Sequence, residues 1–171
     1  MINLDTTLAR LSADADTIAS LSRGVTDAQA RWKPSPDEWS ILEVLCHLYD
    51  EEREDFRTRV DFTLHKPTEA WPPIDPAGWV TARGYNQREF GSSLEAFLRE
   101  RRESLNWLMS LQNPDWNSTH QHPRIGAMMA GDVLAAWVAH DHLHIRQLNH
   151  LHWQHLSTQV KSISLDYAGG W

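Results

Sequence analysis

The chain has 171 residues, of which 41% are hydrophobic and 23% charged, the make-up of a globular protein with one sizeable core. A formal net charge of −7 argues against a nucleic-acid partner, because phosphate contacts need clustered Lys and Arg. No apolar run approaches the roughly 20 residues of a bilayer span, and Met1 to Arg10 lacks the basic-then-apolar layout of a signal peptide, so a cytoplasmic protein with a single domain over residues 1–171 is expected.

The first predicted helix runs from about Leu4 to Ser22, with Leu4, Leu8, Leu11, Ala15, Ile18 and Leu21 at three- and four-residue spacing. Gly24 is its stop, and Lys33-Pro34-Ser35-Pro36 cannot be helix interior. A second helix begins at Ser40, which forms a capping box with Glu43. Its apolar face continues through Ile41, Val44, Leu45 and Leu48 to Phe56, Val60 and Leu64, while Glu51, Glu52, Glu54 and Asp55 read as a solvated face. Cys46, the sole cysteine, excludes an internal disulfide and a Cys-based zinc site, and it reads as a buried, inert thiol.

A long loop is expected from about His65 to Gly78, punctuated by Pro67, Pro72, Pro73 and Pro76, either functional or a strap that Trp71 and Trp79 pack down. The third helix starts at Thr81 or at Ser92, Gly84 and Gly91 weakening any helix between them, and ends at Leu111. A second polar loop, Asp115 to Gly126, leads to a fourth helix over about Ala127 to His152. No segment alternates with the period of two that strands require. The expected fold is therefore all-α, a four-helix bundle with long loops after the second and third helices.

Nine Trp and ten His stand out in a chain of this length. His140 and His144 are four apart and share one helix face, so their imidazoles can converge on one metal at about 2.1 Å each. His142 points to another face, His120 and His122 read as solvent-exposed loop residues, and His150, His152 and His155 read as lining the helix end. His47 follows Val44 by three and Ile41 by six, a comparable inward place on the second helix. Two histidines on one helix and one on a neighbour make a bundle-core metal site when the two helices pack together. On spacing alone, a chance pair of histidines in a His-rich chain stays open as the alternative.

The segment Trp39-Ser40-Ile41-Leu42-Glu43-Val44-Leu45-Cys46-His47-Leu48-Tyr49-Asp50 resembles the first signature of the DinB/YfiT-like family, and His140-Asp141 with His144 and Gln147 resembles its second. Ala82-Arg83-Gly84-Tyr85-Asn86 and Tyr167-Ala168-Gly169-Gly170-Trp171 are also similar to DinB-like sequences, so the match spans nearly the whole chain in order. The resemblance implies a four-helix bundle, often a homodimer, with a divalent metal held by His47, His140 and His144. The expected ion is zinc, with nickel, iron or manganese as alternatives. Two departures from the family pattern spare the ligands: Met128-Met129-Ala130-Gly131-Asp132 replaces a Thr cap, and Leu143 stands where many relatives carry His.

Three imidazoles leave one or two open positions on such an ion, as catalytic sites do. Gln147 is placed to buttress His144, while Asp50 and Glu51 either orient the second ring nitrogen of His47 or belong to a solvated face. The resemblance implies a small-molecule substrate and an ion that activates a low-molecular-weight thiol for transfer to an electrophile, with Arg83 and Arg146 as candidates to receive an anionic thiol. The alternatives are metal-dependent hydrolysis, for which Asp50 or Glu51 would be the base, and a metal- or ligand-binding stress protein without turnover. Neither nucleic acid nor membrane is expected as a partner.

Overall fold

A computed structural model describes residues 3–171. Helix α1 spans Leu4–Ser22, matching the predicted stripe. Asn3 caps it by accepting a hydrogen bond from the Thr6 amide at 2.9 Å, and Leu11 and Ile18 are fully buried. Gly24, at φ +75°, takes the left-handed turn that follows. A short α2, Asp27–Arg31, packs on the next helix.

The predicted second helix is interrupted. It divides into α3 (Ile41–Asp50), a π-helical turn (Glu51–Phe56) and α4 (Arg57–His65). Its start holds the expected capping box: the Glu43 amide donates to Ser40 Oγ at 3.1 Å, and the Ser40 amide to Glu43 Oε2 at 2.8 Å. Ser40 Oγ also donates to Asn86 Oδ1 at 2.7 Å, tying this cap to the segment before the third bundle helix. The expected solvated acidic face is overturned, because Glu51, Glu52 and Asp55 are buried. Glu52 follows Val44 and Leu48 in steps of four, along the core-facing row. Arginines supply the counter-charge for two of them, Arg101, distant in the sequence, for Glu52 and Arg59, one turn on, for Asp55.

The expected loop over 65–78 ends in a short helix, α5 (Pro76–Ala82), capped by Asp75, which accepts from the Gly78 amide at 3.0 Å, with Pro76 in the first turn. Helix α6 spans Phe90–Ser110, two residues before the later of the two predicted starts. The Glu89 carboxylate caps it by accepting from the amides of Gly91 and Ser92, which offsets the weakness of Gly91. The second loop is also corrected: β1 (Thr119–His122) and β2 (Gly126–Met129) form an antiparallel hairpin in which His120 faces Met128 and His122 faces Gly126. Strands of four residues are too short to display an alternating pattern. Helix α7 therefore begins at Ala130 and runs to Gln159. In place of the family's Thr cap, the Asp132 carboxylate accepts from the Met129 amide at 2.9 Å.

The bundle consists of α1, α3–α4, α6 and α7, with α1 packed on α6 and α7, and α3 packed on α6 and α7. One part of the core joins Ile18, Val44, Leu45, Phe97 and Leu148; another joins Leu11, Val60, Leu108, Leu134 and Trp137. Among the described residues no helix is long and apolar enough to cross a membrane.

Candidate metal centre

The packing of α3 on α7 brings His47 to His140 and His144. His47 Nε2 lies 3.2 Å from His140 Nε2, which lies 3.1 Å from His144 Nε2, and one nitrogen from each of the three falls within 4.8 Å of the others. Ligands at about 2.1 Å from one ion stand roughly 3.0 Å apart at right angles and roughly 3.4 Å apart in a tetrahedron. The observed separations fall between these values.

The surroundings are aromatic. Trp39 tilts on the His47 ring at 4.8 Å and lies parallel to His144 at 6.3 Å, while Phe56 sits 4.9 Å from the His140 ring. His47 is only 4% exposed. Burial, followed by the neighbouring His144 and His140, pushes His47 down to about 2. Burial, followed by His144 and Arg101, pushes His140 down to about 3. Burial lowers His144 too, with Gln147 acting in the opposite sense. All three rings are thus neutral near pH 7 and keep a lone pair for a ligand bond.

The hydrogen bonding fits a cation. Gln147 Oε1 accepts from His144 Nδ1 at 2.8 Å, a pairing that leaves His144 Nε2 as a bare lone pair aimed at the cluster. A single proton on His140 Nε2 can satisfy one neighbour and not both. One ion in the centre would satisfy all three nitrogens.

The other candidates are distributed unequally. Gln147 buttresses His144, as expected. Asp50 does not reach His47: it accepts from the Tyr85 hydroxyl at 2.6 Å and pairs with Arg83 at 2.7 Å, and His47 Nδ1 is buried without a partner. Arg83 is committed to Glu54 and Asp50. Burial and the adjacent Asp55 push Glu51 up to about 9, so it is protonated at neutral pH, while Asp55 pairs with Arg59. Arg146 lines a cavity of about 800 Å³ together with His144, Trp39, Gln147, Asp37 and Glu38.

His142 is exposed and meets Asp14 at 3.2 Å, away from the triad. His152 bonds the Leu21 carbonyl at 2.7 Å and Gln29 at 3.1 Å, holding α7 to α1 and α2. The expectation for His120 and His122 is corrected. His120 is 5% exposed beneath Trp71, and His122 is half-buried, with the hairpin folding both against the 66–75 strap.

Behind the triad lies a group not anticipated from the sequence. Arg101 of α6, 1% exposed, donates to both oxygens of Glu52 and both oxygens of Asp141 at 2.7–2.9 Å, and to the Leu11 carbonyl at 2.8 Å. Trp137 Nε1 also donates to Glu52 at 3.1 Å. Asp141 adjoins His140, so this cluster joins the helix bearing two of the histidines to the one that follows His47. The available signal was a lone charge at position 101 between Phe97 and Leu105 of the apolar stripe.

A four-helix bundle in which three neutral histidines converge from two facing helices, one of them lining the cavity, has a side-chain group that could hold a metal ion. The chain belongs to the DinB superfamily, whose family model matches residues 10–148, a span that includes all three histidines. Its fold is similar to that of YfiT from Bacillus subtilis, described as a probable metal-dependent hydrolase with an unusual four-helix bundle topology, with a TM-score of 0.77, 20% identity and 88% of each chain covered. No curated protein matches the chain.

Proposed function

We propose that this protein is a metal-dependent enzyme in which His47, His140 and His144 hold one divalent ion, zinc first, at the wall of the 800 Å³ cavity. The convergence of three neutral imidazoles, with His140 Nε2 at 3.2 Å from His47 Nε2 and 3.1 Å from His144 Nε2, carries the reading. A bound ion with three nitrogen ligands and open positions supplies Lewis acidity, enough to deprotonate a water or a thiol near neutral pH. The protein's own residues hold the geometry: Gln147 fixes the His144 tautomer, Trp39 and Phe56 exclude water from the ring faces, and Arg101 sets α7 against α3–α4 through Asp141 and Glu52.

Activation of a low-molecular-weight thiol for transfer to a small electrophile is the favoured reaction. Asp50, Glu51 and Glu52 are all engaged elsewhere or protonated, so none is free to take a proton from water. A thiol on the ion would be deprotonated outright, whereas bound water would ionise only in part near neutral pH and gains more from a neighbouring base. Arg146 on the cavity wall is placed to meet an acidic group of the thiol compound. Hydrolysis is the second reading, favoured by Asp37 and Glu38 on the same wall and by the description of YfiT. Zinc-loaded protein should conjugate one of a panel of thiols to monochlorobimane. Thiol-independent cleavage of p-nitrophenyl acetate, lost on chelation, would favour hydrolysis, and turnover of neither substrate by fully metallated protein would sink both enzyme readings. The homodimer implied by the family resemblance belongs to the same proposal and is read by light scattering.

A further inference from the structure

A second cavity, of about 1110 Å³, shares no lining residue with the one beside the histidine triad. It lies between the 66–75 strap, the β1–β2 hairpin and Arg59 of α4. Pro72, Ile74 and Ile125 supply apolar walls. Trp71 stands at the centre of its polar side: His120 stacks on the indole at 4.4 Å and 12°, His122 is tilted against it at 5.5 Å, and the Arg59 guanidinium lies 4.7 Å from the ring centre.

The hydrogen bonds leave donors over. His122 Nδ1 accepts from the amides of Arg124 at 3.2 Å and Ile125 at 3.1 Å, so its proton sits on Nε2. Among the described residues, Trp71 Nε1 is buried with no acceptor. Arg124 is exposed, and among the described residues it is in no ion pair, whereas Arg59 shares its charge with Asp55. His120 differs, its Nδ1 being committed to the Pro67 carbonyl at 3.2 Å.

The charge balance has one sign. Two arginines and two histidines line the cavity, and no Asp or Glu does, in a chain whose net charge is −7. The same field shows in His122, which burial and then the Arg59 and Arg124 charges hold below the ordinary imidazole range. Small-molecule sites combine apolar walls with a few convergent polar groups in about 300–1,000 Å³, and this cavity is of that order. An anion placed here would meet the Arg124 guanidinium and the Nε2–H of His122 in charge-assisted hydrogen bonds, with the Trp71 indole beside them.

We propose that the cavity between strap and hairpin is a binding site for a small organic anion with an apolar, ring-bearing body, its acidic group held by Arg124 and His122 and its body lying against Trp71, Ile74 and Ile125. The site is independent of the histidine triad and does not require the metal.

The probe is 8-anilinonaphthalene-1-sulfonate, an aromatic anion that becomes fluorescent in apolar surroundings. The full chain should give a saturable signal that 1-naphthoate displaces and 1-naphthylmethylamine, the cation with the same ring system, does not. Arg124→Glu should weaken binding about tenfold or more, as expected for loss and reversal of a charge-assisted contact. Arg124→Gln should weaken it in the same direction with the circular dichroism spectrum unchanged. Absence of a saturable signal, equal competition by the amine and the acid, or full-strength binding by both Arg124 variants would overturn the proposal.

Discussion

Replacing Arg101 by methionine keeps most of the side-chain volume and removes the charge on which two buried carboxylates depend. Arg101 makes five hydrogen bonds, four of them to Glu52 and Asp141. All three side chains are at most 1% exposed. Removing one member of a buried ion cluster costs about 3–5 kcal/mol. Protonation sets the scale: one proton shared by Glu52 and Asp141 restores the net charge of the cluster, and a carboxyl of ordinary pKa near 4 takes it up at pH 7 for about 4 kcal/mol. The two figures agree, so Arg101→Met should lose about 4 kcal/mol of stability at neutral pH. The pH dependence has a definite sign. Burial already pushes Asp141 up to about 6 against the pull of Arg101. Without Arg101 the buried carboxyls titrate higher still, so the folded variant binds more protons than the unfolded chain and loses more stability than wild type as the pH rises. The deficit against wild type should therefore be smaller at pH 5 than at pH 8. Urea unfolding followed by tryptophan fluorescence at both values measures it. A loss below about 1 kcal/mol, or one equal at the two pH values, would refute the assignment of Arg101 as the counter-ion of this core.

Gln147→Ala should leave the helical spectrum intact and weaken zinc binding about 10–100-fold in a chelator competition, the usual effect of losing an outer hydrogen bond to a ligating imidazole. Glu51→Gln should raise the unfolding midpoint at pH 8. Glu51 keeps a proton in the fold up to about pH 9 that the unfolded chain releases above roughly 4.5, so wild-type stability falls across that window and the variant's should fall less. Ser40→Ala removes one half of the capping box and the bond to Asn86. It should cost about 1 kcal/mol in chemical denaturation.

What could be read from the sequence was local. The α1 stripe, the Ser40–Glu43 box and the four-residue step from His140 to His144 each lie within a few turns of one helix, and each has its expected place in the structure. Long-range partners were illegible. Glu52 looked like part of an acidic surface because Arg101 lies 49 residues away, although the row Val44, Leu48, Glu52 pointed inward. His120 looked exposed because Trp71, which covers it, belongs to a loop without periodicity. The meeting of His47 with the α7 pair depends on which helices pack together. Spacing could nominate His47 for this but could not place it, and the family resemblance supplied the link.

Metal content of the purified protein, measured beside His47→Ala and His144→Ala, addresses the centre itself. One equivalent of a divalent ion in the wild type, lost from both variants while their helical spectra persist, is the predicted result. A full equivalent retained by both variants would contradict the assignment of these histidines as ligands.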